Sequence, residues 1–230
     1  MITVKEKFGA TLILDDMLVL PNFWDVTVTM EPNPAFADEL SSYNTAVDRV
    51  QVFIQSILDN SIFVSPEHIN NFMNELPLTG VVHTTPDVPY DHILTMCLYT
   101  KFSGIVEGRC IVQNVTLESY QAGGVQHSHG LDDGNPETLR DIFAEEDPAF
   151  AEYWYDSRVK YFNLSPQGMK LNVAGWEKFD LSFDTRPGDV VQLDTFRSKK
   201  TKPRYFRNYV FCGSNFFYGN SKSERAIFYL

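Results

Sequence analysis

The stretch Ala122-Gly123-Gly124-Val125-Gln126-His127-Ser128-His129-Gly130-Leu131-Asp132-Asp133-Gly134 decides how this chain is read. It packs two of the five histidines, two adjacent carboxylates and four glycines into thirteen residues. It also separates a mainly helical half from a mainly β half.

Upstream, residues 109–119 alternate around Val115 and Leu117 and read as a central strand. Residues 91–103 carry Ile93, Leu94, Cys97 and Leu98 at helical spacing, with Gly104 as a stop. A helix is favoured there over a strand. The clearest helix covers 44–59. Val47, Val50, Ile54, Ile57 and Leu58 form one apolar stripe, with Asp48, Arg49, Gln51 and Gln55 off it and Asn60 ending it. A further helix opens at Ser65-Pro66-Glu67, where serine caps, proline suits the first position and Glu67 complements the dipole. Residues 8–30 read as two strands, the second alternating with Val26, Val28 and Met30 on one side.

Downstream, Asn135-Pro136-Glu137 and Asp147-Pro148 open two short helices, 136–146 and 148–157. From 158 the pattern is β, with candidate strands at 159–163, 176–183, 189–196, 205–212 and 225–230 and a turn at 184–189. The expected fold class is α+β. Helices lie mainly in residues 40–157, and a largely antiparallel sheet occupies residues 158–230 with additional N-terminal strands. One domain spanning 1–230 is expected, with a point of subdivision near 120–135.

Composition bounds the class of protein. Hydrophobic residues make up 43% and charged residues 21%, as in ordinary globular chains. A net charge of −11 disfavours coating nucleic acid with the whole surface. Cys97, Cys110 and Cys212 form no Cys-x-x-Cys pair and read as buried thiols of a reducing compartment. The N-terminus lacks a signal-peptide core, and no apolar run reaches the roughly 18 residues of a membrane span. A cytoplasmic protein with no membrane partner is expected.

In an extended segment His127 and His129 point to one side, because the side-chain period is two. With Asp132 or Asp133 they make a candidate divalent-metal site, to which His83 or His92 would add a ligand. No histidine follows His129, which removes the cupin and 2-oxoglutarate oxygenase arrangements. Metallo-β-lactamase and zinc-deaminase patterns are absent too, as are a nucleophile elbow, a Walker loop and a Rossmann fingerprint.

Charge is polarised. From Leu131 to Asp156 there are nine acidic residues against Arg140 alone. From Arg197 to Arg207 the basic residues Arg197, Lys199, Lys200, Lys202, Arg204 and Arg207 face no acid, with Tyr205 and Phe206 among them. Opposite patches on one chain can dock between copies. The first expectation is therefore a non-catalytic interaction or assembly protein, a viral or accessory component being one setting, that self-associates or binds a protein partner. The alternative is a metal-dependent enzyme centred on His127 and His129. A weaker alternative is a phosphate or single-stranded nucleic-acid binder using 197–207.

Overall fold

The structure is a computed structural model that describes residues 1–14, 18–36, 40–69, 80–134, 136–146, 148–165 and 167–183. The chain divides into two units, Met1–Asp184 and Thr185–Leu230, and the described residues all lie in the first.

Two long strands open the chain, β1 (Ile2–Ile13) and β2 (Val19–Pro32), paired antiparallel from Ile2↔Met30 to Ile13↔Val19. The expected alternation of β2 is present. Trp24, Val26, Val28 and Met30 are buried, and Asp25, Thr27 and Thr29 lie on the other side. The remaining strands are β3 (Ser61–Val64), β4 (Gly80–Thr84), β5 (Cys110–Ser119), β6 (Val125–Gly130), β7 (Val159–Ser165) and β8 (Gly168–Ala174). They complete one eight-stranded sheet of order β6-β5-β2-β1-β3-β4-β7-β8. The sheet is mostly antiparallel, with parallel pairs β1–β3 and β3–β4 at its centre.

The helices are α1 (Leu40–Phe53), continued by a wider π turn at Ile54–Leu58, then α2 (Asp91–Ile105), α3 (Pro136–Glu146) and α4 (Pro148–Tyr155). The fold is therefore α+β, and these helices fall within the span the sequence assigned to them. The stripe of the first helix is buried at Val50, Ile54, Ile57 and Leu58. Asn60 ends it in a left-handed conformation, φ 62°. α2 is buried on nearly all sides, from Leu94 to Ile105, and packs across β5 and β6. Gly104 does not stop it. A side chain there would stand 2.7 Å from the Tyr155 carbonyl, so glycine lets the end of α4 approach.

That approach is fixed by Lys101. Its side chain is fully buried, and Nζ donates to the carbonyls of Tyr153, Asp156 and Arg158 at 3.3, 2.8 and 2.9 Å. These acceptors are carbonyls at and just beyond a helix end, which have no partner within the helix. Burial pushes the Lys101 amine down to about 7, with Asp156 pulling the other way.

One face of the sheet and the helices share the main core, which includes Phe8, Trp24, Val115, Leu117, Phe53, Tyr99 and Trp154. A smaller core of Ile13, Ile62, Val64, Val82 and Leu164 lies on the opposite face. Cys97 and Cys110 are buried free thiols. Among the described residues no helix is long and apolar enough to cross a membrane.

Two expectations are corrected. Residues 176–183 are not a strand. Trp176–Phe179 forms a 3-10 turn, closed by Asp180 in a left-handed conformation. The strand after β7 is instead β8. The run from Ala122 to Gly134 is also not a junction between a helical and a β half, because it enters the sheet as β6, next to β5. The candidate turn 184–189, the candidate strands 189–196, 205–212 and 225–230, and Cys212 lie outside the described residues. So does most of the helix opening at Ser65, of which residues 66–69 are helical.

Candidate functional site

β5 turns back into β6 through residues 120–124, where Gly123 and Gly124 take positive φ of 66° and 81°. The turn is anchored by Asn22. Its Nδ2 donates to Ser119 Oγ at 2.8 Å, and its Oδ1 accepts from Gln121 N at 3.1 Å. The register then sets His127 opposite Leu117 and His129 opposite Val115. Directly opposed residues share a face. Both histidines therefore lie on the side of Leu117 and Val115, towards α2, as their spacing predicts.

α2 meets them with residues two helical turns apart. The His92 and His127 rings are 6.2 Å apart, and Tyr99 and His129 are 5.1 Å apart, edge to face. Tyr90 stacks on His92 at 6.2 Å. The helix start is tied down by Trp24 Nε1, which donates to Asp91 Oδ1 at 2.7 Å. Asp133 reaches back so that its Oδ2 accepts from Gly130 N at 2.9 Å, while Asp132 is exposed.

Two polar atoms here have no partner among the described residues. Tyr99 Oη and His129 Nε2 are buried and make no hydrogen bond among the described residues. Native proteins leave few such groups, and each calls for an explanation. Burial raises the Tyr99 phenol, and the Asp133 charge raises it further. Burial lowers the His129 imidazole, and Asp133 opposes that.

His83 does not join this group. It lies in the main core, where Nδ1 is 2.8 Å from Tyr153 Oη and Nε2 is 3.3 Å from the Ile57 carbonyl. Among the described residues no group of three or more His, Cys, Asp or Glu side chains is placed to hold a metal ion. The structure thus brings His127, His129 and Asp133 to one edge with His92, and adds Tyr99, which the sequence reading did not single out. The seven-residue step from His92 to Tyr99, which places both on one helix face, was the available signal.

Among the described residues β6 is one of the two outer strands of the sheet, β8 being the other. Leu131 N donates inward to Gln113 O at 2.9 Å, whereas Gly130 N turns outward to Asp133. By the alternation of an antiparallel strand, the backbone groups of Ser128 and Gln126 also face outward. Gly130 itself fits because a side chain there would stand 2.5 Å from the Gln113 carbonyl. Beyond the strand, Asp132, Asp133, Glu137 and Asp141 are exposed. The basic residues Arg197, Lys199, Lys200, Lys202, Arg204 and Arg207 lie outside the described residues. No family model matches the chain, and no curated protein matches it.

Proposed function

We propose that the chain is an interaction or assembly protein that accepts a strand from a second copy of itself along β6. The observation that carries this reading is the composition of that edge. Val125-Gln126-His127-Ser128-His129-Gly130 contains no lysine, arginine, carboxylate or proline, and it pairs with β5 without a bulge. Outer strands are ordinarily blunted by charge, proline or irregularity, because their free N–H and C=O groups template pairing with another chain. Among the described residues only Gly130 N is occupied, by Asp133.

The acidic residues bordering β6 favour a basic partner strand. The chain's own Arg197–Arg207 segment has that chemistry, and Tyr205–Cys212, which overlaps it, is rich in the aromatic residues that favour strands. Strand addition supplies backbone hydrogen bonds, and the opposite charges fix direction and register.

Analytical ultracentrifugation over a range of concentration and salt tests this. Wild type is expected to self-associate, less so at high salt. Ser128→Pro removes an outward N–H without touching the ladder to β5, so it should leave a monomer. Lys199→Glu with Lys200→Glu should weaken association, and adding Asp132→Lys with Glu137→Lys should restore it. A wild-type chain that stays monomeric at every concentration and salt would end the proposal.

The metal reading keeps a narrower form, favoured by the paired orphans Tyr99 Oη and His129 Nε2 beside Asp133. Phenolate, imidazole and carboxylate together suit a borderline or hard divalent ion. Calorimetric titration with zinc and manganese decides it, since stoichiometric binding must vanish in His129→Ala.

A further inference from the structure

A second part of the molecule combines rings and guanidinium groups in alternation. Arg109 lies 4.6 Å from the Phe36 ring centre and 4.4 Å from that of Phe183. Arg49 lies 3.6 Å from Phe183 and 5.0 Å from Trp176. The run Phe36–Arg109–Phe183–Arg49–Trp176 thus joins the turn before α1, α1 itself, the residue preceding β5 and the turn after β8.

Arg49 lies off the apolar stripe of its helix, yet its side chain is only 3% exposed. Its Nε donates to the Leu181 carbonyl at 2.7 Å, and Nη1 donates to the Ile105 carbonyl at 3.0 Å and to Glu107 at 2.7 Å. Arg49 is the built-in part of the stack, and Glu107 balances its charge.

Beside the stack lies a cavity of about 390 Å³, lined by Arg49, Arg109, Arg158, Val173, Trp176 and Phe183, with Glu107 and Glu177 also on its wall. The three guanidiniums are not equivalent. Arg158 is held by Asp156 at 2.8 Å and is half exposed, at the cavity mouth. Arg109 makes no ion pair among the described residues. Its Nη1 donates to the Glu107 carbonyl at 3.1 Å, while its Nε is buried with no acceptor. A permanent cation with an unmet N–H therefore borders a largely polar cavity, whose wall carries three guanidiniums, the rings of Trp176 and Phe183 and the carboxylates of Glu107 and Glu177, with Glu107 already taken by Arg49. An entering oxyanion would meet the open N–H of Arg109. The guanidinium fork matches phosphate geometry, and rings on which it stacks hold the fork in place.

The volume is larger than a bare phosphate needs and falls in the range of small-molecule sites. We infer that this cavity binds a phosphomonoester. The phosphate would meet Arg109, with Arg158 at the mouth, and the organic group would lie against Trp176 and Val173. This inference does not rest on the β6 proposal, because the residues and elements are different.

Calorimetry with adenosine monophosphate, inorganic phosphate and adenosine as probes tests it. Saturable one-site binding is expected for adenosine monophosphate, weaker binding for inorganic phosphate and none for adenosine. Arg109→Gln and Arg109→Lys should each weaken adenosine monophosphate at least tenfold, since lysine lacks the fork. Arg109 also supports the stack, so a variant that leaves the arginines alone is needed. Val173→Trp fills the cavity and should abolish binding while the far-UV spectrum and melting stay those of wild type. The inference is overturned if neither phosphate-bearing probe binds at physiological salt. It is equally overturned if Val173→Trp, folded, binds adenosine monophosphate like wild type.

Discussion

Among the described residues two tyrosine–histidine pairs lie between helix and sheet, and they are built to opposite rules. In the pair of His83 with Tyr153, every polar atom is matched. A carbonyl can only accept, so Nε2 of the neutral ring carries the proton toward Ile57, and Nδ1 accepts from the Tyr153 hydroxyl. Phe63 stacks on the ring at 5.3 Å and Trp154 closes over it at 6.0 Å. In the pair of His129 with Tyr99, the rings are closer, 5.1 Å against 6.3 Å, but neither Nε2 nor Oη has a partner among the described residues. The first pair is on an inner strand of the sheet, β4, and the second on an outer one, β6. Matching closes a histidine into a core, and leaving it unmatched keeps its valence for something that arrives later. The difference can be tested at both ends.

The largest effect is expected from acid. Burial pushes the His83 imidazole down to about 4 from its ordinary 6.5, outweighing the Ile57 carbonyl, with the Lys101 charge adding to the fall. Between those two values the unfolded chain binds a proton that the native chain refuses. Stability therefore falls as pH drops from about 6.5 to about 4 and is unaffected by this group above or below. The full loss is about 3 kcal/mol. Urea midpoints across this window, compared with those of His83→Gln, isolate the contribution. Asp156 acts lower. Burial would raise its carboxyl, but hydrogen bonds from Arg158 and Lys160 outweigh that and hold it well below the usual carboxylate range. An imidazole resonance of His83 that titrates near 6.5 would show that the ring is not sealed.

A smaller loss is expected from Tyr153→Phe. The substitution keeps the ring that stacks on Phe162 at 5.9 Å and removes only the hydroxyl. His83 Nδ1 is then a buried acceptor without a donor, which costs about 1–3 kcal/mol. Chemical denaturation at pH 7 measures it, and an unchanged midpoint would mean that Nδ1 finds another donor.

How far the sequence revealed this arrangement depends on whether a signal was local. The alternation of Val26, Val28 and Met30 and the prolines at 136 and 148 are local, and β2, α3 and α4 follow them. α2 was ambiguous because a helix buried on nearly all sides loses its polar stripe. Residues 176–183 misled because Trp176, Phe179 and Phe183 look like strand residues, whereas Trp176 packs on Phe179 and Arg49 within a turn. β8 is absent from the sequence reading although Met169, Leu171 and Val173 alternate with Lys170 and Asn172, and Leu171 and Val173 are exposed in the fold. The common face of His127 and His129 could be read from spacing. The seven-residue step puts His92 and Tyr99 on one helix face, but which strand that face meets is not legible, because contact between a helix and a strand depends on tertiary packing. Arg49 failed for the same reason, since a charge within a helix reads as solvated until rings from distant segments enclose it.

The smallest expected effect is the sharpest test of the contrast. Tyr99→Phe keeps the edge-to-face contact with His129 and removes a hydroxyl that makes no hydrogen bond among the described residues. A buried hydroxyl without a partner pays desolvation and gains nothing, so its removal from metal-free protein should shift stability by less than about 0.5 kcal/mol, or raise it. The same change at Tyr153 costs several times more, and the difference between the two variants reports the matched bond itself. If Tyr99→Phe costs as much as Tyr153→Phe, then Oη already holds an acceptor, such as an ordered water shared with His129 Nε2 and Asp133. The two pairs would then follow one rule. If instead the hydroxyl is dispensable for stability but needed for zinc or manganese to bind, the open valence at the sheet edge belongs to the ligand and not to the fold.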